Sequence, residues 1–93
     1  MSSGILATVD AIAGVDTLLY EMPHGIAREV TVNICNKNTS DALIQLTAEG
    51  ISLEYDTTIR ANGVLEKTEI ALSGGQSLRC YSDSSNVHFA VWE

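Results

Sequence analysis

Apolar and polar residues alternate along much of this chain, and the period of the alternation is two. Val30, Val32 and Ile34 fall on one side of an extended backbone, and Thr31, Asn33 and Cys35 fall on the other. That is the pattern of a strand buried on one face. Ala42, Ile44, Leu46 and Ala48 interleave with Leu43, Gln45 and Thr47 in the same way. Val87, Phe89 and Val91 do so with His88, Ala90 and Trp92. Shorter strands are expected over 5–9, 17–22, 51–55, 65–72 and 78–82.

Turn residues punctuate these segments. The run Asn36-Lys37-Asn38-Thr39-Ser40-Asp41 reads as a hairpin loop. Pro23-His24-Gly25 suits a turn, because Pro fixes φ and Gly accepts a positive one. Asn62-Gly63 is a strong reversal signal, after which Leu65 is expected to re-enter the core. Residues 5–13 leave a short helix open, but the segment is marginal in length and lacks caps. A strand, or an extended interaction arm over residues 1–13, is the expectation there. With one Pro and no sustained helical periodicity, the chain reads as a single all-β domain over 1–93. The architecture expected is a β-sandwich or jelly-roll-like barrel of about eight short antiparallel strands.

Composition narrows the function. Only 18% of the 93 residues are charged while 45% are hydrophobic, so some of the surface is expected to be buried against something else. The formal charge of −7 argues against nucleic acid, whose recognition needs Lys and Arg on phosphates, and against an anionic membrane surface. The opening Met1-Ser2-Ser3-Gly4 has no basic region of the secretory kind, and no apolar run approaches a bilayer span. Synthesis in a cytoplasm is the expectation.

Candidate chemistry is thin. Cys35 and Cys80 sit in apolar strand-like runs without a Cys-x-x-Cys neighbour, as small hydrophobes do. His24 and His88 are the only histidines, and neither lies in a nucleophile–base motif. Glu54 and Asp56 share a strand face by simple alternation, but a domain this small offers little sugar cleft between two carboxylates. A solvated strand face, or pairing of these carboxylates with Arg60 or Lys67, is expected instead. No ligand spacing links the histidines and cysteines, and Asp83-Ser84-Ser85-Asn86 lacks the acidic density of a calcium loop. No enzyme activity, metal or cofactor is expected. Tyr55 is expected to bury its ring and bond its hydroxyl to backbone, with Asp56 capping a turn.

Three longer stretches carry a resemblance. Asp16-Thr17-Leu18-Leu19-Tyr20, with Pro23 and Gly25, is one. Asn33, Cys35 and Asn36 in the 30–36 strand form another. The third is the segment from Leu53 to Thr68, which contains Glu54-Tyr55-Asp56, Ile59, Asn62-Gly63-Val64-Leu65 and Glu66. With the terminal Asn86-Val87-His88-Phe89-Ala90-Val91-Trp92, they resemble a set of small tailed-phage virion proteins. Lys37 stands where those proteins usually have Arg, and the 47–50 loop is shorter than in many of them. The resemblance implies a non-enzymatic virion protein and does not by itself separate the roles such proteins take; a capsid decoration (cement) protein is the one expected here. The alternative is a tail, collar, baseplate or fibre module. It implies the major capsid protein or other virion proteins as partners, a small homo-oligomer, and residence in the virion after synthesis in the host cytoplasm. It makes Tyr20, Pro23, Gly25, Glu54, Tyr55, Asp56, Asn62, Gly63 and Leu65 scaffold.

The interface is expected at the apolar ends of the chain, at Ile5, Leu6, His88 and Trp92, since Trp is enriched at interface centres. Exposed strand edges offer strand addition as a further route. From another class, a carbohydrate-binding sandwich would use Tyr20, Tyr55, Tyr81 or Trp92 to stack on sugar rings.

Overall fold

A computed structural model describes residues 4–93. Eight strands follow in order: β1 (Ile5–Asp10), β2 (Thr17–Glu21), β3 (Arg28–Asn36), β4 (Ala42–Ala48), β5 (Ile51–Ile59), β6 (Val64–Leu72), β7 (Ser77–Ser82) and β8 (Val87–Trp92). They form two four-stranded antiparallel sheets, sheet A in the order β1-β8-β3-β6 and sheet B in the order β2-β7-β4-β5. The expected all-β sandwich is what forms, and its connectivity is that of a jelly roll.

The topology is a long hairpin folded over itself. Its tip is the β4–β5 turn, where Glu49 has φ 50° and Gly50 φ 79°. Two successive positive φ values make the primed turn that matches strand twist, and Gly takes the second at no steric cost. From that tip the chain pairs outward: β4 with β5, β3 with β6, β2 with β7 and β1 with β8. Successive rungs fall in alternate sheets. The 36–41 run is therefore no hairpin loop, as its composition suggested. It arches from sheet A to sheet B, because β3 finds its partners in β6 and β8. Residues 5–10 form β1 along the length of β8, so the segment from Ile5 is part of the sandwich and not an extended arm or a helix. Met1, Ser2 and Ser3 of the expected arm lie outside the described residues.

Alternation carried through to the core. Val30, Val32, Ile34, Ile44, Leu46, Leu78, Val87, Phe89 and Val91 are all buried between the sheets. Phe89 is the largest of them, and truncating it to Ala is expected to cost about 3–5 kcal/mol.

One end of the sandwich is tied by Asn36, a fully buried polar residue. Its Nδ2 donates to the carbonyls of Ser40 (3.0 Å), Ile59 (2.9 Å) and Arg60 (3.2 Å). Its Oδ1 accepts from Asn38 N and Nδ2, both at 3.0 Å, and Asn38 Nδ2 also reaches Ser85 O. One amide thus pins the β3–β4 arch to the β5–β6 turn and, through Asn38, to the β7–β8 loop. Beside it, Asn62 at φ 58° and the Gly63 N–H on Arg60 O (2.8 Å) make the expected reversal. Gly63 is required by proximity: a Cβ there would stand 2.9 Å from Arg60 O. The chain reverses across the sandwich, from sheet B to sheet A, and Leu65 packs against the core.

The four edge strands share a feature the central ones lack. Register breaks occur in every pair that includes an edge: β1–β8, β2–β7, β6–β3 and β5–β4. The central pairs β3–β8 and β4–β7 run without interruption. In each broken pair the extra residue sits on the edge strand, as when Ile5 and Ala7 oppose the adjacent Trp92 and Val91. Bulges of this kind twist an edge away from further pairing.

Candidate functional site

The described residues enclose no pocket, so binding chemistry has to be sought on the two outer faces. Strand pairing places each side chain, since residues directly opposite in an antiparallel pair share a face.

On sheet A, the outer face begins with Ile5 opposite Trp92, which is in turn opposite Thr31. Ile5 is 56% exposed and Trp92 36%. The next row is Thr8, Ala90, Asn33 and Glu66, and the last is Asp10, His88, Cys35 and Val64. Two of the expected interface residues, Ile5 and Trp92, are thus brought together. His88 shares their face but lies at the opposite end of β8, where its Nε2 is 3.4 Å from Asp10 Oδ1. Leu6 does not belong with them: the bulge in β1 turns it to pack against the core. The middle row is small and nearly uncharged, and Asn33 Oδ1 lies shielded there without a donor among the described residues.

On sheet B, the outer face carries Leu18, Arg79, Thr47 and Ser52 in one row. The next row is Tyr81 opposite Gln45, with Tyr55 and Asp56 across from Gln45 on β5. Arg79 Nε donates to Asp16 Oδ2 at 2.6 Å. Gln45 Nε2 donates to Asp56 Oδ1 at 2.9 Å.

The Glu-Tyr-Asp segment is where structure and alternation part. A bulge breaks the β4–β5 register between Ile44 and Leu46, and Asp56 lies within it at φ 49°. Glu54 and Asp56 consequently face opposite ways. Glu54 sits opposite Leu46 on the inner side, accepts from Thr57 Oγ1 at 2.8 Å, and meets Lys67 Nζ of sheet A at 3.2 Å. That ion pair closes the gap between edge strands β5 and β6, as expected of Lys67. Tyr55 is 67% exposed, so its ring is not the buried structural ring expected of it. Asp56 braces Gln45 and caps no turn. Tyr20, by contrast, is turned onto the core opposite Leu78, which removes it from any sugar-stacking surface. Pro23 and Gly25 form the expected turn, with Gly25 at φ 83° and Ile26 N on Pro23 O.

The thiols are separate. Cys35 is half-buried on the outer face of sheet A; Cys80 is buried in the core, where burial, reinforced by Asp16 and opposed by Arg79, pushes its pKa from 9.0 up to about 12. Among the described residues no three His, Cys, Asp or Glu side chains are placed to hold a metal.

Sequence reasoning found Ile5, Trp92, Tyr55 and Tyr81 one by one. It missed the Gln45–Asp56 brace and the alignment of Asp10, His88 and Cys35. Both arise from pairing between strands distant in the chain, for which no local pattern exists.

No family model matches this chain, and no curated protein does. Among solved structures, the chain is similar to the native structure of a family 35 carbohydrate binding module from Clostridium thermocellum. The identity is 10% and the TM-score 0.46, over 97% of this chain and 90% of that one. A likeness at that level carries no argument about function.

Proposed function

We propose that this chain is a non-enzymatic structural protein of a tailed-phage virion, a decoration protein that stabilises the head through protein–protein contacts as a small homo-oligomer. The observation that carries this reading is the exposed Ile5–Trp92 pair on the outer face of sheet A. Burying what remains exposed of an aliphatic side chain such as Ile5 is worth about 1 kcal/mol, and a Trp beside it makes an interface centre. Thr31 beside the pair, and Thr8, Ala90 and Asn33 in the next row, are short side chains that let a second surface approach closely, with Glu66 at the rim of that row. The bulged edges favour the face over strand addition as the route of assembly. The stabilising action is mechanical: apolar surface buried across capsomer joints opposes the pressure of the packaged genome. The sequence resemblance supports the phage setting.

The test is co-sedimentation of purified protein with expanded capsids of its own phage. Binding at a fixed stoichiometry, with a raised capsid disruption temperature, is expected. The Ile5→Lys/Trp92→Lys double variant should lose binding yet stay folded, its melting temperature lowered only by the packing that the partly covered Trp92 makes on the outer face. Co-purification with tails and not with capsids would replace decoration with the tail-module reading. Association with neither particle would end the virion proposal.

A further inference from the structure

We infer that the outer face of sheet B is a binding site for neutral pyranose oligosaccharides, built from Tyr81, Gln45, Tyr55 and Asp56. This goes beyond assembly through sheet A and uses the opposite side of the molecule.

The tyrosines flank Gln45 on neighbouring strands. Tyr81 of β7 pairs directly with Gln45 of β4, and Tyr55 lies across from it on β5. At the usual spacing between strands their backbones stand about 10 Å apart. A tyrosine offers a flat apolar ring and a hydroxyl, and ordering it costs little entropy. A pyranose presents the complement: a C–H face that stacks on a ring and a rim of hydroxyls that need both donors and acceptors.

Those donors and acceptors lie between the rings. Gln45 Nε2 spends one N–H on Asp56 Oδ1 at 2.9 Å. Its Oε1, its second N–H and the other Asp56 oxygen have no partner among the described residues. Adjacent sugar hydroxyls match such an array, and the hydrogen bond between the two side chains orders it in advance. The array exists because of the bulge in β5. A regular strand would set Asp56 on the same face as Glu54, towards the interior; the left-handed Asp56 at φ 49° turns it outward instead. Bulges that re-aim a side chain, and non-glycine residues held at positive φ, concentrate at functional sites.

Charge selects the class of glycan. Arg79, the cation of this face, is held by Asp16 at 2.6 Å, and the chain carries a net charge of −7. Sulfated or phosphorylated chains are repelled, so the ligand is neutral. The face is open and encloses no pocket, which suits a stretch of chain laid across it better than a single enclosed sugar.

The experiment is an amide-resolved NMR titration of the protein with cellohexaose, xylohexaose, mannohexaose and maltohexaose. Each is taken to roughly 5 mM, enough to occupy most of a site whose Kd is about 1 mM. At least one should shift Gln45, Tyr55, Asp56 and Tyr81 while leaving Ile5 and Trp92 unmoved. Tyr55→Ala and Tyr81→Ala should each weaken that binding about tenfold or more, whereas Tyr55→Phe and Tyr81→Phe should keep most of it. The Tyr55→Ala/Tyr81→Ala protein should still co-sediment with capsids, and the Ile5→Lys/Trp92→Lys protein should still bind sugar, so the two proposals fail separately. No shift with any of the four sugars, shifts centred elsewhere, or unchanged affinity in the double tyrosine variant would overturn the inference.

Discussion

Asn36 shows how much a single side chain can hold. Its amide reaches three carbonyls from two connections while its own oxygen is doubly engaged by Asn38, so a group that is costly to bury becomes a tie between loops. Cys80 shows the opposite case, a titratable group stabilised by staying neutral. Its thiol ionises near 9.0 when the chain is unfolded and holds its proton to about 12 when folded. Across that window the folded state binds the extra proton, so stability present below pH 9 is lost as the pH rises towards 12. Melting temperatures measured over this range should fall more steeply for the parent than for Cys80→Ala, in which this ionisation is gone. Parallel slopes would mean that the burial of Cys80 does not resist ionisation.

At the level of the strand, the bulges twist the edges of a weakly charged sandwich away from further pairing. Glu69, at φ 60° in β6, lies in the break between Lys67 and Ile70 opposite β3. Deleting Glu69 leaves Lys67 and Ile70 on their present face, since one residue, Thr68, then replaces two between the register points as on β3, and it straightens the edge. In the Ile5→Lys/Trp92→Lys background this deletion should generate concentration-dependent oligomers with added strand signal in infrared spectra. A deletion variant that elutes as one species at all concentrations would show that the bulge does not guard the edge. Lys67 and Glu54 add to the protection, because inward-pointing charges on edge strands penalise a neighbour that would bury them.

The whole molecule is a slab, with principal extents of 41 × 26 × 17 Å and a radius of gyration of 12.7 Å. Its two broad faces differ in chemistry. Sheet A offers Ile5, Trp92 and small side chains; sheet B offers tyrosines and a braced amide–carboxylate pair. Each copy carries a net charge of −7, so the homo-oligomer proposed above would assemble against mutual repulsion. Raising sodium chloride from about 0.02 M to about 0.5 M shortens the screening length severalfold. Sedimentation should then show a larger share of oligomer at a given protein concentration. Dissociation by salt would instead identify the contact as ionic and remove Ile5 and Trp92 from its centre.

The sequence alone determined the strands and the core they bury. Alternation at 30–34, 42–48 and 87–91 is a local property of a pleated backbone, and Val32, Ile34, Ile44, Leu46 and Phe89 went inside as it required. It also marked the turns at Pro23-His24-Gly25 and Asn62-Gly63, whose conformations depend on the residues themselves. Tertiary structure alone decided which strands meet, because partners such as β1 and β8 lie at opposite ends of the chain. For that reason the arch after Asn36 looked like a hairpin. For that reason too Tyr55 looked buried, since the inserted residue that separates Glu54 from Asp56 is defined only against β4. A period-two pattern names the face of a strand only until the register breaks, and here it breaks on every edge.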